Sequence, residues 1–226
     1  MHIGTKLINL EFRNAYVTDR GLSVFSKECP GLKRFYLKND EEIGSDEEEE
    51  DDGEGPTDAG VKSLTQNCTT LEDITLIKWI RITDLSMAYL SSIATLTHLR
   101  LGGCRNLTSA GVTRVVLANP GLQHIDLANI KQAKNFNNFI TGIGSTCPAL
   151  KTLKVSLSTP LSHKISTKAM ISLVRSCPLL EVLDLEKFPQ NDEYLVALST
   201  SCTSLKMFTL AGSDVTDTSL LRACWG

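Results

Sequence analysis

Basic side chains near the start of the sequence are well suited to binding an acidic group. Arg13, Arg34 and Lys38 each adjoin an apolar residue, and Tyr36 lies between the last two. Arginine pairs with carboxylate or phosphate through two parallel hydrogen bonds. These residues therefore predict a docking patch for an acidic or phosphorylated segment, and the alternative is scattered solubilising charge. Two acidic residues flank the patch, Glu11 and Asp73.

Two histidines, His98 and His124, occupy the same place in consecutive apolar segments. If those segments are adjacent strands, about 4.8 Å apart, the two rings lie close together. Stacked surface histidines are the simpler interpretation, and a metal site or a pH sensor is the alternative. Asp126 is the only nearby carboxylate, and Arg100 opposes a bound cation. The predicted partner-binding set is Arg13, Arg34, Tyr36, Lys38, Lys78, His98, Arg100, His124 and Lys154.

An acidic run interrupts the otherwise basic chain. The net charge is −3, yet residues 40–54 hold 11 acidic side chains, so the remainder carries 23 basic against 15 acidic side chains, or +8. Mutual repulsion prevents packing, and residues 40–56 are predicted to form a disordered insertion. Ser45 precedes further acidic residues, the pattern that acidophilic kinases prefer, and is a predicted phosphorylation site.

Several functional classes lack support. The sequence has no nucleophile elbow, no zinc-protease motif and no phosphate loop, so we expect no enzyme and no cofactor. No segment is long and apolar enough to span a membrane, and no secretory signal is visible, which favours the cytoplasm or nucleus. The basic residues form no continuous stripe with interleaved aromatics, which argues against nucleic acid. The seven cysteines include no C-x-x-C pair, so no metal is expected.

One apolar frame positions all of these residues. It places apolar side chains at its first, fourth and sixth positions and repeats with starts 25, 39, 25, 26, 28, 30 and 25 residues apart. Repeats of this size predict a solenoid. The eight frames are Leu7-Leu10-Phe12, Leu32-Phe35-Leu37, Leu71-Ile74-Leu76, Leu96-Leu99-Leu101, Leu122-Ile125-Leu127, Leu150-Leu153-Val155, Leu180-Leu183-Leu185 and Leu205-Phe208-Leu210.

Each repeat predicts a strand followed by a helix. The frame alternates like a strand buried on one side, and a Thr-Asp pair such as Thr57-Asp58 then signals a helix start. Five cysteines lie three residues before the next frame, often followed by a helix-ending proline as in Cys29-Pro30. They predict buried, stacked thiols. Stacked units curve with the sheet inside, so frame positions three, five, seven and eight face a concave surface.

The unit L-x-x-L-x-L…T-D-x-G-L…C-P-x-L resembles the cysteine-containing subclass of leucine-rich repeats, as in F-box/leucine-rich-repeat proteins. The first unit matches it closely, in Thr18-Asp19-Arg20-Gly21-Leu22 and Cys29-Pro30-Gly31-Leu32. The resemblance implies an α/β solenoid of about eight repeats, with a parallel sheet on the concave face and helices on the convex face. Residues 1–226 would form one monomeric domain. A shortened last unit and missing end caps indicate a fragment of a longer protein.

The resemblance also implies binding of a partner protein. In F-box/leucine-rich-repeat proteins the repeats select substrates for a cullin-type ubiquitin ligase, so this role is the leading hypothesis. No F-box precedes Leu7, and a stand-alone adaptor or inhibitor without a ubiquitin role is the alternative. A small-anion receptor is a third possibility, and it would use Arg13, Arg34, Lys38 and Lys78.

Overall fold

The apolar frame forms a strand in all eight units. The computed structural model describes residues 3–38, 55–130, 136–157, 166–185, 191–209 and 216–217. Each strand begins at the third frame position, so that the fourth and sixth positions, such as Leu99 and Leu101, enter the core. The strands are β1 (Asn9–Arg13), β2 (Arg34–Lys38), β3 (Asp73–Ile77), β4 (His98–Gly102), β5 (His124–Ile130), β6 (Thr152–Leu157), β7 (Val182–Leu185) and β8 (Met207–Thr209).

A helix follows each of the first seven strands and returns the chain to the start of the next. A short 3₁₀ helix, Ile3–Lys6, precedes β1. The helices are α1 (Asp19–Glu28), α2 (Asp58–Asn67), α3 (Asp84–Leu90), α4 (Ser109–Ala118), α5 (Phe136–Thr146), α6 (Thr167–Ser176) and α7 (Asp192–Ser201).

The strands form a single parallel sheet in sequential order, β1 to β8. Every helix packs against the helices of adjacent units, on the opposite side of the core from the exposed face of the sheet. The predicted fold class, a leucine-rich-repeat solenoid, is confirmed. That residues 1–226 form one domain stays a prediction. Residues 40–54 of the predicted insertion, including Ser45, lie outside the described residues, whereas residues 55 and 56 are described and Pro56 is buried.

A ladder of hydrogen bonds joins the helix starts of neighbouring units. Thr57 caps α2 and donates to the Asp19 carboxylate from its backbone N–H at 2.8 Å and from its hydroxyl at 2.7 Å. The threonine therefore caps its own helix while the aspartate binds the next unit. We call this arrangement the Thr–Asp ladder, and the same pair of bonds joins Thr83 to Asp58, Thr108 to Asp84 and Thr216 to Asp192.

The Thr–Asp ladder explains the small residue two places after the aspartate. A Cβ on Gly60 would lie 2.6 Å from Asp19 Oδ1 and 2.7 Å from Leu22 Cδ1. In the next unit Ser86 fills the same place and donates to Asp58 instead. Glycine is thus required at Gly60 by the carboxylate of the preceding unit, and no unusual backbone angle is involved.

The cysteines stack as the sequence predicts. Cys29, Cys68, Cys147, Cys177 and Cys202 are all buried free thiols. The Cys68 thiol contacts the Cys29 carbonyl at 3.3 Å, and Cys177 contacts the Cys147 carbonyl at 3.5 Å. Burial raises the pKa of Cys177 to about 12, so this thiol stays protonated and unreactive.

Two side chains at outward-facing frame positions are nearly buried. Asp73 and Thr75, at positions three and five of the third unit, are only 5% and 6% exposed. Both are short and lie between longer neighbours in the sheet register: Arg34 and His98 flank Asp73. Position eight is left-handed at Asn14, Lys78 and Gly103, with φ of 49°, 62° and 65°. There the chain turns out of the sheet toward the next helix.

We expect the Gly60→Ala variant to be destabilised by about 1–3 kcal/mol, because the new methyl group overlaps Asp19 and Leu22. Urea unfolding would measure the change. Gly31→Ala is the matched control, since nothing lies within 4 Å of its added Cβ. The two sites should be coupled, so that Gly60→Ala costs less in an Asp19→Ala background than in the wild type. Equal stability of the Gly60 and Gly31 variants would contradict this account.

Candidate functional site

The sheet register arranges the concave residues in columns that cross the strands. The third-position column includes Arg34, Asp73, His98, His124 and Thr152. The fifth-position column includes Tyr36, Thr75, Arg100, Asp126, Lys154 and Asp184. Neighbours in a column are about 4.8 Å apart at the backbone. Most of the predicted partner-binding residues therefore lie on one continuous surface.

The predicted basic patch contains acidic partners. The Arg13 guanidinium donates to Glu11 at 2.6 Å, and both side chains are exposed. Tyr36 donates its hydroxyl proton to Asp73 at 2.6 Å. Burial, followed by this hydrogen bond, raises the pKa of Tyr36 to about 12. The patch is therefore a mixed-charge surface and not a uniformly cationic one.

The two lysines of the patch lie at the end of the strands where the chain leaves the sheet. Lys38 is the last residue of β2 and pairs in register with Arg13 and Ile77. Lys78 follows β3 and has a left-handed backbone. Arg34 starts β2 at the other end of the strand, so the four predicted cations do not converge on one point. This separation weakens the case for a small-anion receptor built from them.

The two histidines form a stacked pair at the middle of the concave face. The rings of His98 and His124 have centroids 4.3 Å apart and an interplanar angle of 17°. Each ring is half-buried and fixed by a threonine. His98 Nδ1 lies 2.9 Å from Thr97 Oγ1, and His124 Nδ1 lies 3.0 Å from Thr152 Oγ1. We call this unit the histidine pair.

Thr97 contacts both the His98 ring and a backbone carbonyl. Its hydroxyl lies 2.9 Å from His98 Nδ1 and 3.0 Å from the Glu72 carbonyl oxygen. That carbonyl also accepts the backbone N–H groups of Thr97 and His98. A hydroxyl can donate to Nδ1 or accept from it, so this contact holds the ring in either tautomer. Within the described part of the chain, neither histidine has a hydrogen bond at Nε2.

Burial and nearby cations keep the histidine pair neutral. Burial lowers the pKa of His98 below its ordinary value of 6.5; Asp73 opposes this shift, and Arg100, Arg34 and Lys151 add to it. The pKa of His124 is also lowered by burial, and then by His98, Lys151 and Arg100. Protonating one ring disfavours protonating the other. These lowered pKa values make the neutral form of each ring the predominant one at pH 7.

A column of alternating charge borders the histidine pair. We define the charged column as Arg100, Asp126, Lys154 and Asp184, which are in register on β4 to β7. Among the described residues, none of these four side chains forms an ion pair within 4 Å. Burial raises the pKa of Asp126, while Lys154 and Arg100 oppose the shift. The strands thus hold the four charged side chains in a fixed order, and these side chains form no ion pairs with one another.

The described residues show neither a metal site nor a membrane-spanning helix. Within the described residues, no group of three or more histidine, cysteine or acidic side chains is placed to hold a metal ion. Among the same residues, no helix is both long and apolar enough to cross a bilayer. The roles of the nine predicted partner-binding residues stay predictions.

Comparison with known proteins adds little beyond the fold. No protein-family model and no curated protein matches the sequence. Similar backbones occur in the yeast Rad7–Elc1 complex (17% identity, TM-score 0.44, covering 94% of this chain and 71% of that one). An internalin, inlF, from Listeria monocytogenes has 17% identity and a TM-score of 0.45, with 89% of this chain and 54% of that one covered.

The TLR13–ssRNA13 complex has 14% identity and a TM-score of 0.44, with 94% of this chain and 33% of that one covered. At these values the likenesses say nothing of this chain's partner. The fold assignment rests on its own sheet and helices.

Sequence reasoning missed two residues of this surface, Lys151 and Thr97. Lys151 lies just before β6 and acts electrostatically on both histidines, and Thr97 holds the His98 ring. Thr152 was assigned to the concave face by its frame position, but its contact with His124 was not predicted. Lys151 and Thr97 occupy frame position two, which the outward-facing pattern leaves out.

We expect the free energy of unfolding to fall as the pH drops below about 6.5, because the unfolded chain then binds more protons at His98 and His124 than the folded chain does. Chemical unfolding across the range from about pH 7.5 to 5 would measure this. The double variant His98→Gln/His124→Gln should lose that pH dependence. The same slope in both proteins would show that the pair is not responsible.

Proposed function

We propose that this chain recognises a partner protein on the concave face of its sheet. The charged column carries the proposal. Its four members are ordered by the strands, yet none has an ion-pair partner within the described residues. An interface that supplies opposite charges in the same order would satisfy them. The order of charges along the column thus determines how a partner surface must align with the sheet.

The alternating signs favour a protein over a nucleic acid. A phosphate backbone attracts continuous positive charge, and two acidic members would repel it. Asp126 and Asp184 alternate with Arg100 and Lys154 along the column. Protein surfaces carry both signs at comparable spacing, and such complementarity sets specificity and association rate.

We expect the charge-reversal variants Arg100→Glu and Lys154→Glu to lose the partner. Each change places a like charge beside the acidic column members, and binding should fall about tenfold or more if these charges are paired in the interface. Capture of partner proteins by the tagged chain, quantified by mass spectrometry, would provide the measurement. Arg175→Glu is the control, because Arg175 is exposed on α6, on the convex side.

A supportive result is a set of captured proteins retained by the wild type and the Arg175 variant and lost from both concave variants. Loss from all three variants, or from none, would contradict a concave binding site. Thermal unfolding of each variant would separate lost binding from lost folding.

We further propose that the recognised protein is a substrate of a cullin-type ubiquitin ligase. The support is the resemblance of the repeat unit to F-box/leucine-rich-repeat proteins, carried by segments such as Thr18-Asp19-Arg20-Gly21-Leu22. Expression in cells, within the full natural reading frame, should then co-purify a cullin and its adaptor. Retention of a concave-face partner without either component would favour a stand-alone adaptor or inhibitor.

A further inference from the structure

We propose that the histidine pair is a proton-dependent anion site that binds a phosphorylated side chain of the partner protein. This inference rests on the proposed concave-face function and names one feature of the partner. The pair differs from the charged column in its chemistry. The column consists of permanent charges, whereas His98 and His124 acquire charge and a new hydrogen-bond donor only when they take up a proton.

Proton uptake changes what His98 offers to a ligand. The Thr97 hydroxyl lies 2.9 Å from Nδ1 and holds the ring in place. A neutral imidazole has one N–H donor and one bare acceptor nitrogen, and it carries no charge. Protonation makes both nitrogens donors and adds a positive charge. The charged ring therefore attracts an anionic oxygen more strongly than the neutral ring does.

The stacked geometry brings the two rings within reach of one ligand. Their centroids are 4.3 Å apart, and the rings lie within 17° of parallel. A tetrahedral oxyanion has several acceptor oxygens and can bind both rings at once. Among the described residues, the two histidines belong to no group of three or more side chains that could hold a metal ion.

The charged groups around the pair favour an anion. Arg34 from β2, Arg100 from β4 and Lys151 before β6 contribute three positive charges. Asp73 from β3, Asp126 from β5 and Glu181 before β7 contribute three negative charges, and Lys154, in register with Asp126, contributes a fourth positive charge. The Tyr36 hydroxyl binds one oxygen of Asp73, and Lys206 binds Glu181 at 2.7 Å. The surroundings sum to 4 − 3 = +1 with neutral rings, and this charge rises with each proton bound.

Among the described residues, the three cations Arg34, Arg100 and Lys151 form no side-chain ion pair within 4 Å. By contrast, Lys33 is bound to Glu72 and Lys206 to Glu181, each at 2.7 Å. A dianionic phosphate monoester has the charge to satisfy more than one of these cations. We therefore assign a phosphate, and not a single carboxylate, as the matching group.

Thermodynamic linkage fixes the direction of the pH effect. A bound anion stabilises the protonated rings and raises their pKa, so affinity must increase as the pH falls. Each unit by which binding raises one pKa strengthens binding about tenfold at a pH below both values. Phosphate itself takes up a proton near pH 6, whereas sulfate remains a dianion. Sulfate is therefore the probe that isolates the protein's own titration.

The first experiment measures the pKa of His98 and His124 in the full chain by imidazole NMR, in sodium sulfate and in sodium chloride at equal ionic strength. We expect sulfate to raise both pKa values and to bind about tenfold or more tightly near pH 5.5 than near pH 7.5. The double variant His98→Gln/His124→Gln should abolish this pH dependence, and His98→Gln alone should weaken it. Arg100→Gln should weaken sulfate binding at both pH values, and Arg175→Gln should not.

Identical pKa values in the two salts would overturn the anion site. So would a sulfate affinity that is the same near pH 5.5 and pH 7.5, or one that His98→Gln leaves unchanged. Far-UV circular dichroism and the unfolding midpoint of each variant would show that the fold is retained. Because no partner protein is present, failure here leaves the proposed concave-face function intact. Failure of the charge-reversal test would likewise leave sulfate binding measurable.

A second experiment assigns the group. N-acetyl-phosphoserine amide, N-acetyl-aspartate amide and N-acetyl-serine amide would be titrated against the same protein. We expect the phosphorylated compound to shift the histidine resonances at the lowest concentration, and the serine compound to have no effect. Equal affinity for the aspartate compound would overturn the phosphate assignment in favour of an unmodified acidic segment.

Discussion

The bonds between successive helix starts are the constraint on which the structure depends. Each aspartate of the Thr–Asp ladder receives two donors from the next unit, and Asp58 also receives the Ser86 hydroxyl and N–H. Burial alone would raise the pKa of Asp58, but the hydrogen bonds from Ser86 and Thr83 outweigh it and hold the pKa below 3.8. Charge-assisted bonds of this kind are stronger than neutral ones. They fix the stagger of one unit on the next, and the strands inherit that stagger.

The ladder changes character in the fifth and sixth units, and the sheet changes with it. There Asn137 accepts from the Ser166 N–H, and Asn191 donates to the Thr167 hydroxyl, so the carboxylate is replaced by neutral groups. The β5–β6 register also shifts between Leu127 and Ile130. The shift lies beyond Asp126, so the columns at the third and fifth positions still cross this junction in register. The neutral groups at these helix starts therefore do not disturb the register of the concave columns.

The fold could be predicted from the sequence because a repeat supplies eight independent readings of one pattern. The polar start of the fifth helix departs from the pattern, but the other units still identify the repeat. The stacked histidines were predicted by the same logic, since His98 and His124 share a frame position. Burial of Asp73 could not be predicted, because it depends on how the longer Arg34, Tyr36 and His98 side chains settle around it. The contact of Thr97 with both the His98 ring and a backbone carbonyl of another unit also could not be predicted, because no pattern of residue types encodes it.

The location of the anion site follows from which cations the fold has left unsatisfied. The basic residues most evident in the sequence, Arg13 among them, lie near carboxylates, and Arg13 is bound to Glu11. Such a pair must be broken before either member can bind a partner, which offsets much of the gain. At the histidine pair Tyr36 binds Asp73 and Lys206 binds Glu181, so the cations there can act on a ligand without first losing a hydrogen bond. Local pairing, and not the count of basic residues, determines where a negative group binds this surface.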